Sequence, residues 1–400
     1  MSEIDLSIVV LTWNTRELVL QCLDGIDAEL RGDATADLVI ETFVVDNGSQ
    51  DGTAEAVRDR YPWVQLIALP ENVGYARGNN AAIASARGRV VLLLNSDVSI
   101  DRAAVLRCLE VLRQSPDAGA AGPHLVHVDG RPQNSMHPFP SFWTELLPSL
   151  WLETLWPQRF PSKRHLPRET RDVDAVRGAA FFVKREVILQ VGALAEDYFF
   201  FLEETDWCLR MRAAGWRVLF VPDARVVHQL GASSKRVDPL ATRIEYHRSL
   251  YHFLRVHRGA ATARAVRAIR VLKSLGSVAL LGLAAPFSPN ARRRGAERRG
   301  LLRWHHAGCP AEGGLASLSR RESPLPSVAD AADSVDSADS ADSKDLTSRL
   351  DSANAADSTD SAPRGRSAVG PVSSTEALDE VAETREPPPP GVASPARGER

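Results

Sequence analysis

No two of the four cysteines form a CxxC pair, and Cys22, Cys108, Cys208 and Cys309 are spread across the chain. That spacing argues against a zinc site or a disulfide framework and suits a reducing compartment. Long apolar runs are missing too. The N-terminus, MSEIDLSIVVLTWN, has neither the basic region nor the apolar core of a secretory signal, and its run 8–11 is far too short to span a bilayer. A cytoplasmic location, at most at the inner face of the plasma membrane, is expected. A charge excess of one sign is absent as well. The formal net charge of −3 supplies no basic footprint for nucleic acid. Two glycine motifs are also lacking. The first strand-to-helix turn reads TWNTRE, without the GxGxxG of a dinucleotide fold, and GxxxxGK[ST] occurs nowhere. Dehydrogenases of that type and P-loop ATPases or kinases are thereby set aside.

What is present is the composition of an ordinary globular protein, 44% hydrophobic and 25% charged over 400 residues. That length holds one large α/β domain plus extras. Apolar runs at 6–11, 38–45, 64–69 and 90–94 alternate with helical patterns at 16–29, 52–61, 78–86 and 102–114. Near-continuous apolar strands between helices predict a parallel sheet covered on both faces, with its ligand crevice at the carboxyl ends of the strands. Residues 123–172 are rich in Pro, His and Trp and read as irregular, with a short helix over 143–156. A second structured block covers 173–227, and 241–257 has helical spacing. From 287 the composition changes; residues 329–361 repeat Asp-Ser and Ala-Asp-Ser units and 386–390 read EPPPP. Such a stretch has too little apolar surface to offset its ordering entropy, so 287–400 is expected to be disordered.

Polar and acidic residues recur where the strands end. Thr12-Trp13-Asn14 follows the first, Asp46-Asn47-Gly48-Ser49 the second and Asn95-Ser96-Asp97 the fourth. Each alone is ordinary loop and cap chemistry. Three at successive strand ends converge on one crevice and fit a polar, phosphate-bearing ligand. Asp97, with Asn95 two residues before it, has the oxygen ligands a hard cation such as Mg²⁺ or Mn²⁺ prefers. Arg77, in the glycine-bearing loop 71–80, is a candidate contact to base or phosphate. The cluster Glu203-Glu204-Thr205-Asp206 follows the aromatic run Tyr198-Phe199-Phe200-Phe201. It reads either as an exposed helix N-terminus or as an acidic group opening into an apolar site, where a raised carboxylate pKa suits a general base. His228 reads as a metal ligand or as a strand-end histidine. The apolar stretch 274–285, flanked by Arg264, Arg267 and Arg270 and by Arg292, Arg293 and Arg294, leaves two readings open. One is an interfacial helix drawn to anionic lipid; the other is a core-covering helix followed by a basic linker.

The stretches SIVVLTWN, VVDNGSQDGT, ENVGYARGNN, LLLNSDV, RGAAFFVKRE, FFFLEETDWCLRMRAAGWRVLFVPDARVVH and GASS occur in this order within residues 5–235. Together they resemble family 2 glycosyltransferases with the GT-A fold, particularly the bacterial rhamnosyltransferase-like branch. The resemblance implies an α/β GT-A fold with a mostly parallel central sheet; with it the chain divides into that domain over 1–240, a C-terminal helical segment over 241–286 that is either membrane-associating or core-covering, and the tail 287–400. It implies an inverting transfer of a rhamnose, glucose or galactose type sugar from a nucleoside-diphosphate donor to a hydroxyl of a polysaccharide or lipid-linked acceptor. Thr12, Asn14, Asp46 and Arg77 would serve the donor, as would Asn95 and Asp97 at the family's DxD position, where the first Asp is Asn here. Glu204 stands at the place of the catalytic base, with Asp206 as the second candidate. Gly178 and Ala179 resemble the acceptor-side wall, and Asp97 and His228 would hold Mg²⁺ or Mn²⁺. Two other functions compete: an inactive nucleotide-sugar-binding scaffold of a polysaccharide assembly complex, and a nucleotidyltransferase, whose glycine-rich basic N-terminal loop TWNTRE does not match.

Overall fold

The computed structural model describes residues 4–31, 38–229 and 238–322. The chain opens as β1 (Leu6–Thr12), α1 (Arg16–Leu30), β2 (Ile40–Asp46), α2 (Thr53–Arg60), β3 (Gln65–Ala68), α3 (Tyr75–Ile83) and β4 (Val90–Asn95). It continues with β5 (Val98–Ser99), α4 (Arg102–Gln114), β6 (Ala118–Val126), β7 (Met136–His137), α5 (Phe142–Leu146), α6 (Ser149–Leu155), β8 (Arg171–Asp172) and β9 (Ala175–Val176). Then come β10 (Ala180–Lys184), α7 (Arg185–Val191), α8 (Glu203–Ala213) and β11 (Arg217–His228). The sheet runs β3-β2-β1-β4-β10-β6-β11-β5, with β8 also on β11. The first four strands of that order are mutually parallel, as are β6 and β11, and β10 enters antiparallel between β4 and β6.

Strand period two explains why the core lies on both sides. Leu6, Ile8 and Val10 of β1 pack with Leu92 and Leu94 of β4 against Val19, Leu23 and Ile26 of α1 and Val105, Cys108 and Leu112 of α4. Val9, Phe43, Val45, Val91 and Leu93 face the other way, onto Ala76 and Ala82 of α3 and Trp207 and Met211 of α8. With both faces covered, neither needs polar residues, hence the near-continuous apolar strands.

The helix expected over 143–156 is two short helices, α5 and α6, because Pro148 has no N–H for a continuing helix and sits just before the second one. Beyond the sheet lie α9 (Pro239–Arg258), α10 (Ala260–Ala284), α11 (Pro289–His306) and α12 (Leu315–Glu322). The expectation of disorder from 287 onward therefore fails for residues 289–322. Leu301 and Trp304 of α11 pack on Ile244 of α9, and a Cβ at Gly300 would stand 2.6 Å from a methyl of Leu240. Glycines at the contact let these helices approach closely, and composition alone counts such residues as loop formers. The GASS stretch and the Asp-Ser-rich stretch beyond 322 lie outside the described residues.

Candidate active site

Parallel register brings the strand-end residues level. Thr12 stands opposite Asp46 across β1 and β2, and Leu11 opposite Asn95 across β1 and β4. Hydroxyls link these ends. Thr12 Oγ1 lies 2.8 Å from Thr15 Oγ1, which lies 3.2 Å from Ser96 Oγ. Asn14 takes a left-handed conformation with φ of 51°, which asparagine tolerates. Its N–H donates to Ser49 Oγ at 2.8 Å, and its Oδ1 accepts from Gln50 N at 2.8 Å. Asp46 accepts from Ser49 N at 3.2 Å; burial holds its carboxyl above the usual range, against the pull of that hydrogen bond.

Asn47, buried, ties this loop to the next. Its Nδ2 donates to Asn72 Oδ1 and Gly74 O, and its Oδ1 accepts from Val73 N. Gly74 has φ of +91°, and a Cβ there would meet Phe199 O at 2.5 Å, so only glycine fits. The next residue, Tyr75, donates its N–H to the same Phe199 O at 2.7 Å. Its hydroxyl donates to Gly178 O at 2.9 Å and lies 3.3 Å from Asn95 Oδ1. Asn95 N in turn donates to Ala179 O at 3.0 Å. Tyr75 thus joins the donor side of the crevice to the segment expected as its acceptor-side wall. Arg77 stands apart, one residue pair further along α3, with its exposed guanidinium 3.2 Å from Glu196.

Asp97 is 4% exposed and lies 3.3 Å, through Oδ1, from Nε2 of the buried His228. The pairing of His228 with Val98 between β11 and β5 holds the two side by side. Gln133 sets the imidazole. Its Nε2 donates to His228 O at 2.7 Å and Val126 O at 3.2 Å, so its Oε1 is the atom 2.9 Å from His228 Nδ1 and accepts from Nδ1–H. In the neutral ring the lone pair is then on Nε2, facing a carboxylate oxygen. Two such lone pairs repel unless a proton or a cation lies between them, and a divalent cation fits this donor set. No larger cage of His, Cys, Asp or Glu occurs among the described residues. Gln133→Leu is expected to weaken Mn²⁺ binding roughly 10–100-fold, the usual effect of losing the group that orients a ligating histidine, as read by calorimetric titration.

Helix α8 carries the acidic cluster, with Phe201 and Leu202 both left-handed at φ of 72° and 68° just before it. Two successive non-glycine residues in that region are costly, about 1–3 kcal/mol each. Packing imposes the turn: Leu202 is buried with Leu250 and Phe253 of α9, and Ser249 Oγ donates to Phe200 O at 2.8 Å. At about 100° per residue, Glu204 and Asp206 leave the helix in nearly opposite directions. Both Asp206 oxygens are engaged, by Arg210 Nε at 2.7 Å and His257 Nε2 at 2.6 Å. Glu204 faces Gly178, whose added Cβ would lie 3.7 Å from its Cγ. Its Oε2 is buried without a hydrogen-bond partner. Burial raises its pKa, opposed by Arg177 and by the N–H groups of Glu204, Thr205 and Gly178.

Glu203 is buried beside it and raised further, first by burial and then by the Glu204 charge. A carboxyl raised in the folded state contributes most stability below the ordinary carboxylate range and loses it as pH rises through its folded pKa. Glu203→Gln is therefore expected to raise the melting temperature at pH 8, by about 2–4 °C per kcal/mol relieved, and to leave it unchanged at pH 4. Calorimetric scans at the two pH values check this.

Sequence patterning missed Thr15, Asn47, Tyr75, Gln133 and Arg177. Asn47, Tyr75 and Arg177 stood inside recognisable motifs; Thr15 and Gln133 are defined by what the fold brings beside them.

The parallel strand ends thus carry one carboxylate–histidine pair, Asp97 with His228, and the buried Glu204 carboxyl stands beside Gly178. The profile of glycosyl transferase family 2 matches residues 7–192. The N-acetylglucosaminyl-diphospho-decaprenol L-rhamnosyltransferase of Mycobacterium tuberculosis is 31% identical over 230 residues, 54% of this chain and 74% of that protein. A low-salt glycan biosynthesis hexosyltransferase of Haloferax volcanii is 27% identical over 215 residues, 52% of this chain and 62% of that protein. Among solved structures, a mannosyltransferase of Pyrobaculum calidifontis in complex with GDP-Man and Mn²⁺ is 18% identical, covers 76% of this chain and 86% of that one, and has a TM-score of 0.42. The chain belongs to glycosyl transferase family 2, in its rhamnosyltransferase-like branch. It is a glycosyltransferase.

Proposed function

We propose that the protein transfers a hexose or deoxyhexose of the rhamnose, glucose or galactose type, with inversion, from a nucleoside diphosphate to a hydroxyl of a polysaccharide or lipid-linked acceptor. The observation that carries this reading is Glu204, a buried carboxyl with one partnerless oxygen beside the Gly178 backbone, across from the strand-end crevice. Its raised pKa keeps its proton affinity above that of an ordinary carboxylate, which suits a base that must accept a proton from an attacking hydroxyl. The acceptor oxygen then bonds to the anomeric carbon as the bond to the nucleoside diphosphate breaks, and the hydroxyl proton ends on Glu204. Asp206, held by Arg210 and His257, braces α8 and takes no proton in this scheme.

Thr12, Asn14, Asp46 and Asn95 line the donor side in this reading, and Arg77 serves the donor only by leaving Glu196. Asp97 and His228 would hold Mg²⁺ or Mn²⁺, with Gln133 orienting the histidine. When bound, the ion supplies positive charge next to the leaving diphosphate. The 31% identity to a rhamnosyltransferase makes a nucleoside-diphosphate rhamnose the first donor to try. Purified protein assayed for donor turnover against a panel of nucleotide sugars, with Mn²⁺ or with chelator, tests the reading. Donor consumption and glycoside formation with one member of the panel are expected; binding without turnover of any donor assigns the chain to an inactive scaffold.

A further inference from the structure

Helix α10 has 25 residues and is about 37 Å long, yet no described helix is long and apolar enough to cross a membrane. The reason is its charge: Arg264, Arg267, Arg270 and Lys273 lie within its first 14 residues. Its second half does something unusual for a helix of a water-soluble fold. Leu272, Leu275, Leu280 and Leu283 fall within one arc of about 140°. All four are exposed, Leu280 at 70% and Leu283 at 77%, and Phe287 just beyond is exposed at 89%. Single exposed leucines need no explanation, but a stripe of them does.

The neighbouring element repeats the pattern. Helices α5 and α6 expose Trp143, Leu150, Trp151 and Leu155, and Trp156 is exposed just beyond α6. They are joined to α10 at one point, where Glu145 pairs with Arg270 and its carbonyl accepts from Lys273 Nζ. Tryptophan is the side chain that most favours the boundary between water and hydrocarbon.

Beside the leucine stripe is a cavity of about 430 Å³ lined by His247, Arg270, Lys273, Ser274, Ser277 and Arg298, with Leu280 at its edge. No carboxylate among the described residues pairs with Arg298 within ion-pair distance, and burial together with Arg243 and Arg270 holds its pKa down. Glu145 compensates Arg270, so Lys273, Arg298 and two hydroxyls leave the cavity short of negative charge. The surrounding sequence is equally one-sided: residues 260–303 carry ten Lys and Arg against the single acid Glu297, within a chain of net charge −3.

We propose that α10, α11 and the α5–α6 pair form a docking surface for an anionic phospholipid bilayer, with a headgroup phosphate in the His247–Arg270–Lys273–Arg298 cavity and the leucines and tryptophans in the interface. The surface lies on the helices that brace the active-site turn, since Phe142 of α5 packs in the same cluster as Phe201 and Tyr246. Its purpose rests on the reading of a lipid-linked acceptor; its existence does not.

The test is co-sedimentation of the full chain with phosphatidylglycerol-containing vesicles and with phosphatidylcholine vesicles, together with quenching of tryptophan fluorescence by brominated lipid. Binding to the anionic vesicles alone, weakened by salt and accompanied by quenching, is expected. The Leu280→Glu/Leu283→Glu variant, altered only at exposed positions, is expected to lose at least about tenfold in partitioning. The Lys273→Gln/Arg298→Gln variant is expected to lose roughly 30-fold at equal circular dichroism. Absence of vesicle binding by the wild-type chain overturns the proposal. If inorganic phosphate then raises the melting temperature of wild type but not of Lys273→Gln/Arg298→Gln, the cavity is a soluble-anion site. Self-association without lipid that Leu283→Glu abolishes assigns the face to a second copy instead. Turnover with a soluble acceptor is read separately, so failure of the catalytic reading leaves vesicle binding intact.

Discussion

Glu204→Gln is expected to lower turnover by roughly 10²–10⁴-fold, the usual contribution of a general base, while leaving donor affinity unchanged. The amide keeps the shape of the side chain and its contact with Gly178 but has no lone-pair site basic enough to take the acceptor proton. The pH profile adds a second check. Burial raises the Glu204 pKa, so the wild-type rate is expected to fall as pH drops through that raised value, and the variant is expected to lose this limb. Asp206→Asn separates catalysis from structure. It breaks the pairs with Arg210 and His257, so it is expected to lower stability by about 3–5 kcal/mol while the folded fraction keeps its turnover. If Glu204→Gln turns over normally and Asp206→Asn does not, the roles are reversed.

Asp97→Ala is expected to abolish metal-dependent donor binding. The carboxylate and the His228 nitrogen form one donor pair, and a lone imidazole has little affinity for a hard cation. Loss of the ion removes several kcal/mol of charge stabilisation at the leaving diphosphate, or about 10³-fold or more in rate. Calorimetric titration of the donor with Mn²⁺ and with chelator measures the first effect, and steady-state rates the second. Equal donor affinity in wild type with and without chelator removes the metal from this site.

Much of the crevice was legible in the chain because parallel strands buried on both faces end abruptly. Where the apolar run stops, the next residues must face solvent or a ligand, so Thr12, Asp46 and Asn95 announce themselves by position. The parallel pairing of the first four strands followed from the same alternation of apolar runs and helices. The antiparallel insertion of β10 did not, because its five residues Ala180–Lys184 look like any buried strand and direction leaves no trace in composition. For Arg77 the loop 71–80 was legible but its partner was not: the turn of α3 sets its exposed guanidinium beside Glu196. The residues 289–322 were hidden for a third reason: their helices meet through Gly295, Gly300 and Ala291, and close approach of small residues has no hydrophobic signature.

The sequence by itself determined the class of fold, the family and the level at which the site residues stand, because strand period and motif order are local properties of the chain. Only the tertiary structure decided how Glu204 and Asp206 differ, since two carboxylates on one helix are told apart by what packs around each: Gly178 and a partnerless oxygen for the first, Arg210 and His257 for the second. It likewise decided that His228 faces Asp97 with Gln133 behind it, a contact across 131 and 95 residues of chain that no spacing encodes. And it decided that the leucines of α10 are left uncovered by the described chain, because burial is a property of neighbours, which periodicity can propose and only packing supplies.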